Sequence, residues 1–134
     1  MPASYRIDTE LGIVFSFGTG TVTDEDLLNH QESVGRDPLF HPGMSQLLDG
    51  RGVTDVKVTP QGVRSLISVN LYGKGSKRAL VAPNDIIFGM ARMYELSRID
   101  AEDEFRVFRS IDQAREWLGL PPEDAPDKHT PPAA

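Results

Sequence analysis

Two rhythms of apolar residues alternate along this chain of 134 residues, one with a period of two and one with a period near 3.6. Tyr5-Arg6-Ile7-Asp8 alternates polar and apolar, Glu10-Leu11-Gly12 offers a turn, and residues 13–17 read as a second strand. So short a connection makes an antiparallel hairpin. Gly18-Thr19-Gly20 reads as a turn. Thr23 then caps a helix whose first turn, Asp24-Glu25-Asp26, suits the positive end of a helix. Its apolar residues Leu27, Leu28 and Val34 lie on one side, and Gly35 is the expected stop. Residues 37–43 are a proline-framed connection, with Leu39 and Phe40 expected under the core.

The alternation continues to the end of the pattern. Residues 46–49 form a third strand ending at Asp49, followed by a glycine-containing loop. Thr59 caps the next helix with Pro60 at its first position; Val63, Leu66, Ile67 and Leu71 turn inward, and the helix stops near Gly73-Lys74-Gly75. Residues 77–82 are a fourth strand, a helix starts around Asn84, and residues 105–108 are a fifth strand. Ser110 with Gln113 forms a capping box for a last helix that buries Ile111, Ala114, Trp117 and Leu118. Gly119-Leu120-Pro121-Pro122 supplies a glycine stop, an apolar contact and prolines that forbid continuation.

Strands alternating with helices of about ten residues imply a parallel sheet built by right-handed crossovers, and the hairpin at the front makes the sheet mixed. The expected fold is α/β, a single domain over residues 4–120 with five strands and four helices. From Pro121 onward, five prolines in 14 residues with almost nothing apolar read as a mobile tail, residues 121–134. There is no cysteine, hence no thiolate ligand or nucleophile, and no apolar run approaches the roughly 20 residues a spanning helix needs. No charged-then-apolar leader precedes the first strand. A soluble cytoplasmic protein without a membrane span is the expectation.

The net charge of −6 conceals an asymmetry. Residues 1–50 carry two basic and eight acidic side chains, residues 51–98 eight and three, and residues 99–134 four and nine. The basic middle could steer an anionic partner or the acidic face of another subunit, or it could be eight solvated side chains. Nucleic acid is not an expected partner, because the whole molecule is acidic and no aromatic-interleaved basic stripe occurs.

The segment from Leu47-Leu48-Asp49 through Thr59-Pro60-Gln61-Gly62 resembles the regulatory corner of STAS domains, the bacterial anti-sigma-factor antagonists and their relatives. There a strand ending in Asp leads to an Asp-Ser-Ser-Gly helix start that carries a phosphorylatable serine. Here Gly62 matches the glycine, while Thr59-Pro60-Gln61 stands in place of Asp-Ser-Ser, so the resemblance implies the scaffold without the switch hydroxyl. Gly20-Thr21-Val22-Thr23, Asp37-Pro38 with Pro42-Gly43, Arg78-Ala79-Leu80-Val81-Ala82, Phe88-Gly89-Met90-Ala91-Arg92-Met93 and Trp117-Leu118 extend the likeness. Over roughly residues 5–119 the chain is similar to the SpoIIAA-like proteins, small bacterial domains related to STAS domains and more remotely to CRAL-TRIO lipid-transfer domains. The resemblance implies a fold and no established reaction.

Candidate chemistry is sparse. Gly18-Thr19-Gly20 after a strand has the context of a phosphate-cradling turn, but the third glycine of a dinucleotide fingerprint is absent and three carboxylates occupy the first helical turn. Gly73-Lys74-Gly75-Ser76-Lys77 precedes a strand and so lacks even that context. His30, His41 and His129 share no spacing with a carboxylate motif, and His30 reads as a solvated helix residue. No Gly-x-Ser-x-Gly elbow occurs. Neither an enzyme activity nor a cofactor or metal is expected. Asp49 would end a strand at the carboxyl edge of the sheet, where open α/β sheets place ligands, or would simply cap the glycine loop. The helix start at Thr59 carries no acid in its first turn and is flanked by Lys57 and Arg64, so it is anion-compatible. The candidate ligand or partner corner is therefore Asp49, Arg51, Lys57, Thr59 and Arg64.

The helix after Asn84 has apolar residues on too many sides for a single stripe. Either neighbouring elements flank it on two sides, or Phe88, Met90, Met93 and Tyr94 meet a second subunit or an apolar ligand, with Gly89 allowing close approach. Two functions from different classes follow: a non-enzymatic interaction module of STAS-related type, pairing with itself as a homodimer or with another protein, or a carrier or sensor of an apolar or amphipathic small molecule by analogy with CRAL-TRIO domains.

Overall fold

The computed structural model describes residues 2–123. Nine elements follow in chain order: β1 (Ala3–Asp8), β2 (Ile13–Thr23), α1 (Asp24–Arg36), β3 (Ser45–Lys57), α2 (Pro60–Ser68), β4 (Lys77–Val81), α3 (Asp85–Leu96), β5 (Glu104–Phe108) and α4 (Ile111–Trp117). They build one five-stranded sheet in the order β1-β2-β3-β4-β5. β1 and β2 are antiparallel, and all later pairs are parallel. The mixed α/β sheet with four helices is the fold the sequence pattern implied.

Pairing register divides the sheet into two faces. Phe15, Leu47 and Ala79 form one cross-strand row, and Phe17, Asp49, Val81 and Phe108 form the next. This face meets α4, where Ile13, Phe15, Leu47, Ala79, Val81, Ala114 and Leu120 make the main core, with Phe108, Ile111, Trp117 and Leu118 packed against it. Ala79 and Ala114 are fully buried, so small side chains set how closely the helix approaches. The end of α4 is a Schellman motif: Gly119 takes φ +79°, Gly119 N–H donates to Glu116 O, and Leu120 N–H donates to Arg115 O, while Leu120 is buried.

The opposite face is different in kind. A smaller apolar cluster of Val14, Val34 and Met44, joined by Tyr5, Ile7, Phe40 and Leu71, covers the hairpin end. Beyond it the cross-strand row reads Val14, Gln46, Arg78, Phe105, with Ser16 one pleat away on β2. Polar side chains thus sit in the middle of the sheet.

Several boundaries differ from the sequence reading. Gly18-Thr19-Gly20 is no turn, because β2 runs through it to Thr23. Nor does a loop follow Asp49, since β3 continues to Lys57 and pairs with β2 alone beyond the end of β4. The β-branched residues Thr19, Thr21, Val22, Val53, Thr54 and Val56 support this ribbon. Its register shifts twice, each time with an extra residue on β3. The glycines there permit close backbone approach: a Cβ on Gly50 would lie 2.6 Å from Val81 O, and one on Gly52 2.9 Å from Gly18 O.

Gly35 does not stop α1, which reaches Arg36 and ends where Asp37-Pro38 cannot continue it. Gly35 instead makes room for Leu71, whose Cδ2 would be 3.1 Å from an added Cβ. α2 ends at Ser68, well before Gly73, and the Asn70 amide then holds both the N–H and the C=O of Tyr72. Leu39 is exposed, while Phe40 is half-buried and meets the Tyr72 ring edge-on at 5.3 Å.

No helix among the described residues is long and apolar enough to cross a membrane. Of the expected tail, residues 121–123 are described: Arg115 Nε donates to Pro121 O, and the Glu123 carboxylate pairs with Arg51. The rest of it lies outside the described residues.

Candidate functional site

The corner proposed from the sequence falls into two places. Asp49 and Lys57 lie eight residues apart along β3, roughly 26 Å at the usual strand rise. At the first place Arg51 is forked between two carboxylates, Asp49 at 2.8 Å and Glu123 at 2.5 Å. Asp49 also accepts the N–H of Arg51 at 3.1 Å, the local cap that its short acidic side chain favours. Burial alone would raise the pKa of Asp49, but the hydrogen bonds and charge of Arg51 outweigh it and leave the pKa lowered.

At the second place the anion-compatible helix end is already filled. Thr59 Oγ1 accepts the Gly62 N–H at 3.0 Å as the N-cap of α2. The carboxylate of Asp24, from the first turn of α1, accepts the Thr59 N–H at 2.9 Å and its hydroxyl proton at 2.6 Å. It sits where a side chain on Gly62 would be, since a Cβ there would lie 2.0 Å from Asp24 Oδ1. Lys57 and Arg64 are exposed nearby. No external anion is needed at this end, because α1 brings its own.

α3 divides its apolar residues by face. Ile87 is buried, and Tyr94 turns inward with its ring 4.9 Å from Phe105. Phe88 is half-buried beneath the Arg109 guanidinium, 4.4 Å from the ring centre. Facing out are Ile86 (77% exposed), Met93 (68%) and Leu96 (69%), with Met90 half-buried among them by helical spacing. Nothing lies within 4 Å of where a Cβ of Gly89 would be, so that position is open. Met90 and Met93 therefore belong to an outward stripe that also holds Ile86 and Leu96, and Tyr94 belongs to the interior. Ile99, just beyond the helix, is 89% exposed.

The sequence reading missed a buried polar chain on this side of the sheet. His30 is not solvated: it is buried, its Nε2 lies 2.9 Å from Ser16 Oγ, and Tyr5 meets its ring at 5.6 Å. Gln46 donates to the same Ser16 Oγ at 3.0 Å and accepts from Arg78 Nε at 2.9 Å. Arg78 Nη1 reaches Asn70 Oδ1 at 3.4 Å, Tyr94 Oη at 3.3 Å and Asp103 Oδ2 at 3.6 Å. The guanidinium lies over Tyr72 at 4.5 Å and near Phe105 at 5.2 Å. Asp103 Oδ1 in turn receives Arg98 Nη2 and Asn70 Nδ2. Ser16 and His30 have the spacing of a nucleophile and base, but both are buried behind α1, away from solvent. Among the described residues no group of three or more His, Asp or Glu side chains could hold a metal ion.

The far end of the chain opens on a hollow of about 470 Å³ between the α2–β4 and α3–β5 connections, lined by Ile67, Asn70, Tyr72, Arg98, Ile99 and Glu102 among others. One sequence signal could have found this cluster. Parallel strands covered on both faces read as nearly continuous apolar runs, so Gln46 and Arg78 inside such strands mark a polar interior.

No protein-family model matches the chain, and no curated protein matches it either. Among solved structures it is similar to an uncharacterized protein of the DUF3478 family with a SpoIIAA-like fold from Shewanella loihica PV-4. The two share 16% identity with a TM-score of 0.58, over 87% of this chain and 93% of the other. The fold is thus SpoIIAA-like.

The Asp24–Thr59 contact is testable by a double-mutant cycle. Asp24→Ala is expected to cost about 1–2 kcal/mol and Thr59→Ala about 1 kcal/mol, with the double variant costing less than both together. Urea unfolding of the four proteins checks this.

Burial of His30, and secondarily the charge of Arg78, lowers the imidazole pKa below 6.5. The fold holds the neutral ring, whereas the unfolded chain takes up a proton near 6.5, so stability should fall as pH drops from that value toward the folded pKa. His30→Gln should lose this part of the pH dependence. Urea midpoints of both proteins at about pH 7.5 and pH 5.5 provide the comparison.

Proposed function

We propose that the domain is a non-enzymatic interaction module of STAS-related type and that it pairs with a second copy of itself through α3. The observation that carries this reading is the outward stripe of Ile86, Met93 and Leu96, each more than two-thirds exposed on a fold whose other helices turn their apolar sides inward. Covering one such side chain contributes about 1.5–3 kcal/mol, and a contiguous exposed apolar face on a soluble protein usually marks a contact surface.

Three features favour a second copy as the occupant. Gly89 opens the middle of the stripe to another backbone. An antiparallel crossing there is isologous and sets Met90 and Met93 of one helix against those of the other, while Asp85 and Arg92 stay paired within the chain to Arg109 and Glu95. The apolar side chains also cover a surface instead of enclosing a cavity, which weighs against α3 as the seat of a carried apolar molecule. Exposed ion pairs add only about 0–1 kcal/mol, so apolar burial supplies most of the affinity. The commitment of the Thr59 hydroxyl to Asp24 supports a module that works without the serine switch of its STAS relatives.

Sedimentation tests the reading. The expected result is a dimer at roughly 50 µM that persists in ~1 M NaCl, where ion pairs are screened. Met93→Lys should convert it to a folded monomer whose melting temperature no longer depends on protein concentration, since Met93 is 68% exposed within its own chain. A wild-type monomer under the same conditions would overturn it.

A further inference from the structure

We propose that the hollow between the α2–β4 and α3–β5 connections is a binding site for a small organic monocarboxylate with an apolar body, held by Arg98. This inference stands independently of pairing through α3, because the hollow does not involve the stripe of Ile86, Met90 and Met93.

The charge beneath the hollow is unbalanced. The side chains of Arg78 (5% exposed), Arg98 (4%) and Asp103 (0%) are all buried, so two guanidiniums share one carboxylate. Buried charges are stable when paired, and one positive charge here lacks a buried counterpart. Of the two cations, Arg98 is the one whose residue lines the hollow; its guanidinium is buried on Asp103 behind that wall, so its charge acts on an entering anion from beneath. One polar group of the wall is unsatisfied: Tyr72, itself 5% exposed, keeps a buried hydroxyl with no hydrogen-bond partner, a donor that a carboxylate can accept. An unmade hydrogen bond at such depth costs about 1–3 kcal/mol, and such groups in native proteins often adjoin a missing water or ligand.

The remaining walls indicate what accompanies the anionic group. Ile67, Ile99 and Ala101 offer apolar surface, and Ile99 has 89% of its own surface uncovered. A volume of about 470 Å³ lies within the range of small-molecule sites. Asp100 and Glu102 also line the hollow, both on exposed residues. Their charges oppose a dianion such as phosphate more than a single carboxylate, whose apolar end can lie toward the isoleucines. The arrangement therefore selects one negative charge on an otherwise apolar molecule.

Amide chemical shifts of the full chain, titrated with sodium hexanoate and separately with inorganic phosphate, test the proposal. The expected result is saturable shifts at Asn70, Ser97, Arg98 and Ala101 with hexanoate, with a Kd on the order of 1 mM, and binding of phosphate weaker by about tenfold or more. Ala101→Trp, which fills the hollow from its exposed rim without touching the ion cluster, should abolish these shifts in a protein that melts as the wild type does. Arg98→Lys should weaken hexanoate about tenfold, because a point charge replaces the fork. Asp100→Asn combined with Glu102→Gln should narrow the gap between the two probes. Absence of saturable shifts with hexanoate at roughly 100 mM would overturn the site. So would phosphate binding as tight as hexanoate, or shifts that survive in folded Ala101→Trp.

Discussion

A guanidinium in the middle of a sheet constrains everything around it. Arg78 is 4% exposed on a strand paired on both sides, and its charge can stay there only if the neighbouring elements bring partners to it. Gln46 does so from the adjacent strand, Tyr94 from α3, and Asn70 and Asp103 from the segments that enter β4 and β5. Tyr72 and Phe105 flank it with their rings. Three of these partners are themselves fixed by a further bond: Gln46 by Ser16, Asn70 by Tyr72 and Asp103, Asp103 by Arg98. The crossover face of the sheet is therefore organised by polar partners gathered around a buried charge, where the α4 face is organised by apolar packing.

This difference explains the odd composition of α3. A helix over a purely apolar sheet would bury a wide stripe, but α3 packs mainly on β5 and places a tyrosine hydroxyl over Arg78. Ile87 and Tyr94 face inward, Phe88 lies half-buried under Arg109, and Ile86, Met93 and Leu96 are left on the outside. The same division leaves the hollow beside Arg98, because connections that must supply polar groups to the cluster cannot close over it with apolar ones. The proposed pairing face and the proposed carboxylate site are thus two consequences of one buried charge.

Much of the architecture was legible in the residues. Caps at Thr23, Thr59, Asn84 and Ser110 marked every helix start, because each side-chain oxygen accepts a backbone N–H locally and needs no tertiary help. The ends were less legible where glycine was involved. Gly18, Gly20, Gly50 and Gly52 looked like turn residues, yet they serve a bulged ribbon in which backbones touch, a tertiary requirement invisible to local pattern. The site was the least legible. Asp24 and Thr59 are 35 positions apart, so nothing near the helix start announced that its anion site was occupied. Likewise Asp103 and Asn70 lie 33 positions apart, and no local pattern links them. His30 read as solvated because a lone histidine on a helix carries no local sign of the serine opposite it.

The central role of Arg78 is open to one direct measurement, native-state amide hydrogen exchange on Arg78→Met. If the guanidinium ties the connections to the sheet, protection should fall first and most at residues 70–73 and 98–104, while amides of α4 and of the β2–β3 pairing keep theirs until global unfolding. Removing one partner of a buried ion cluster is expected to cost about 3 kcal/mol or more there. Uniform loss of protection over the whole sheet, or none, would contradict the account.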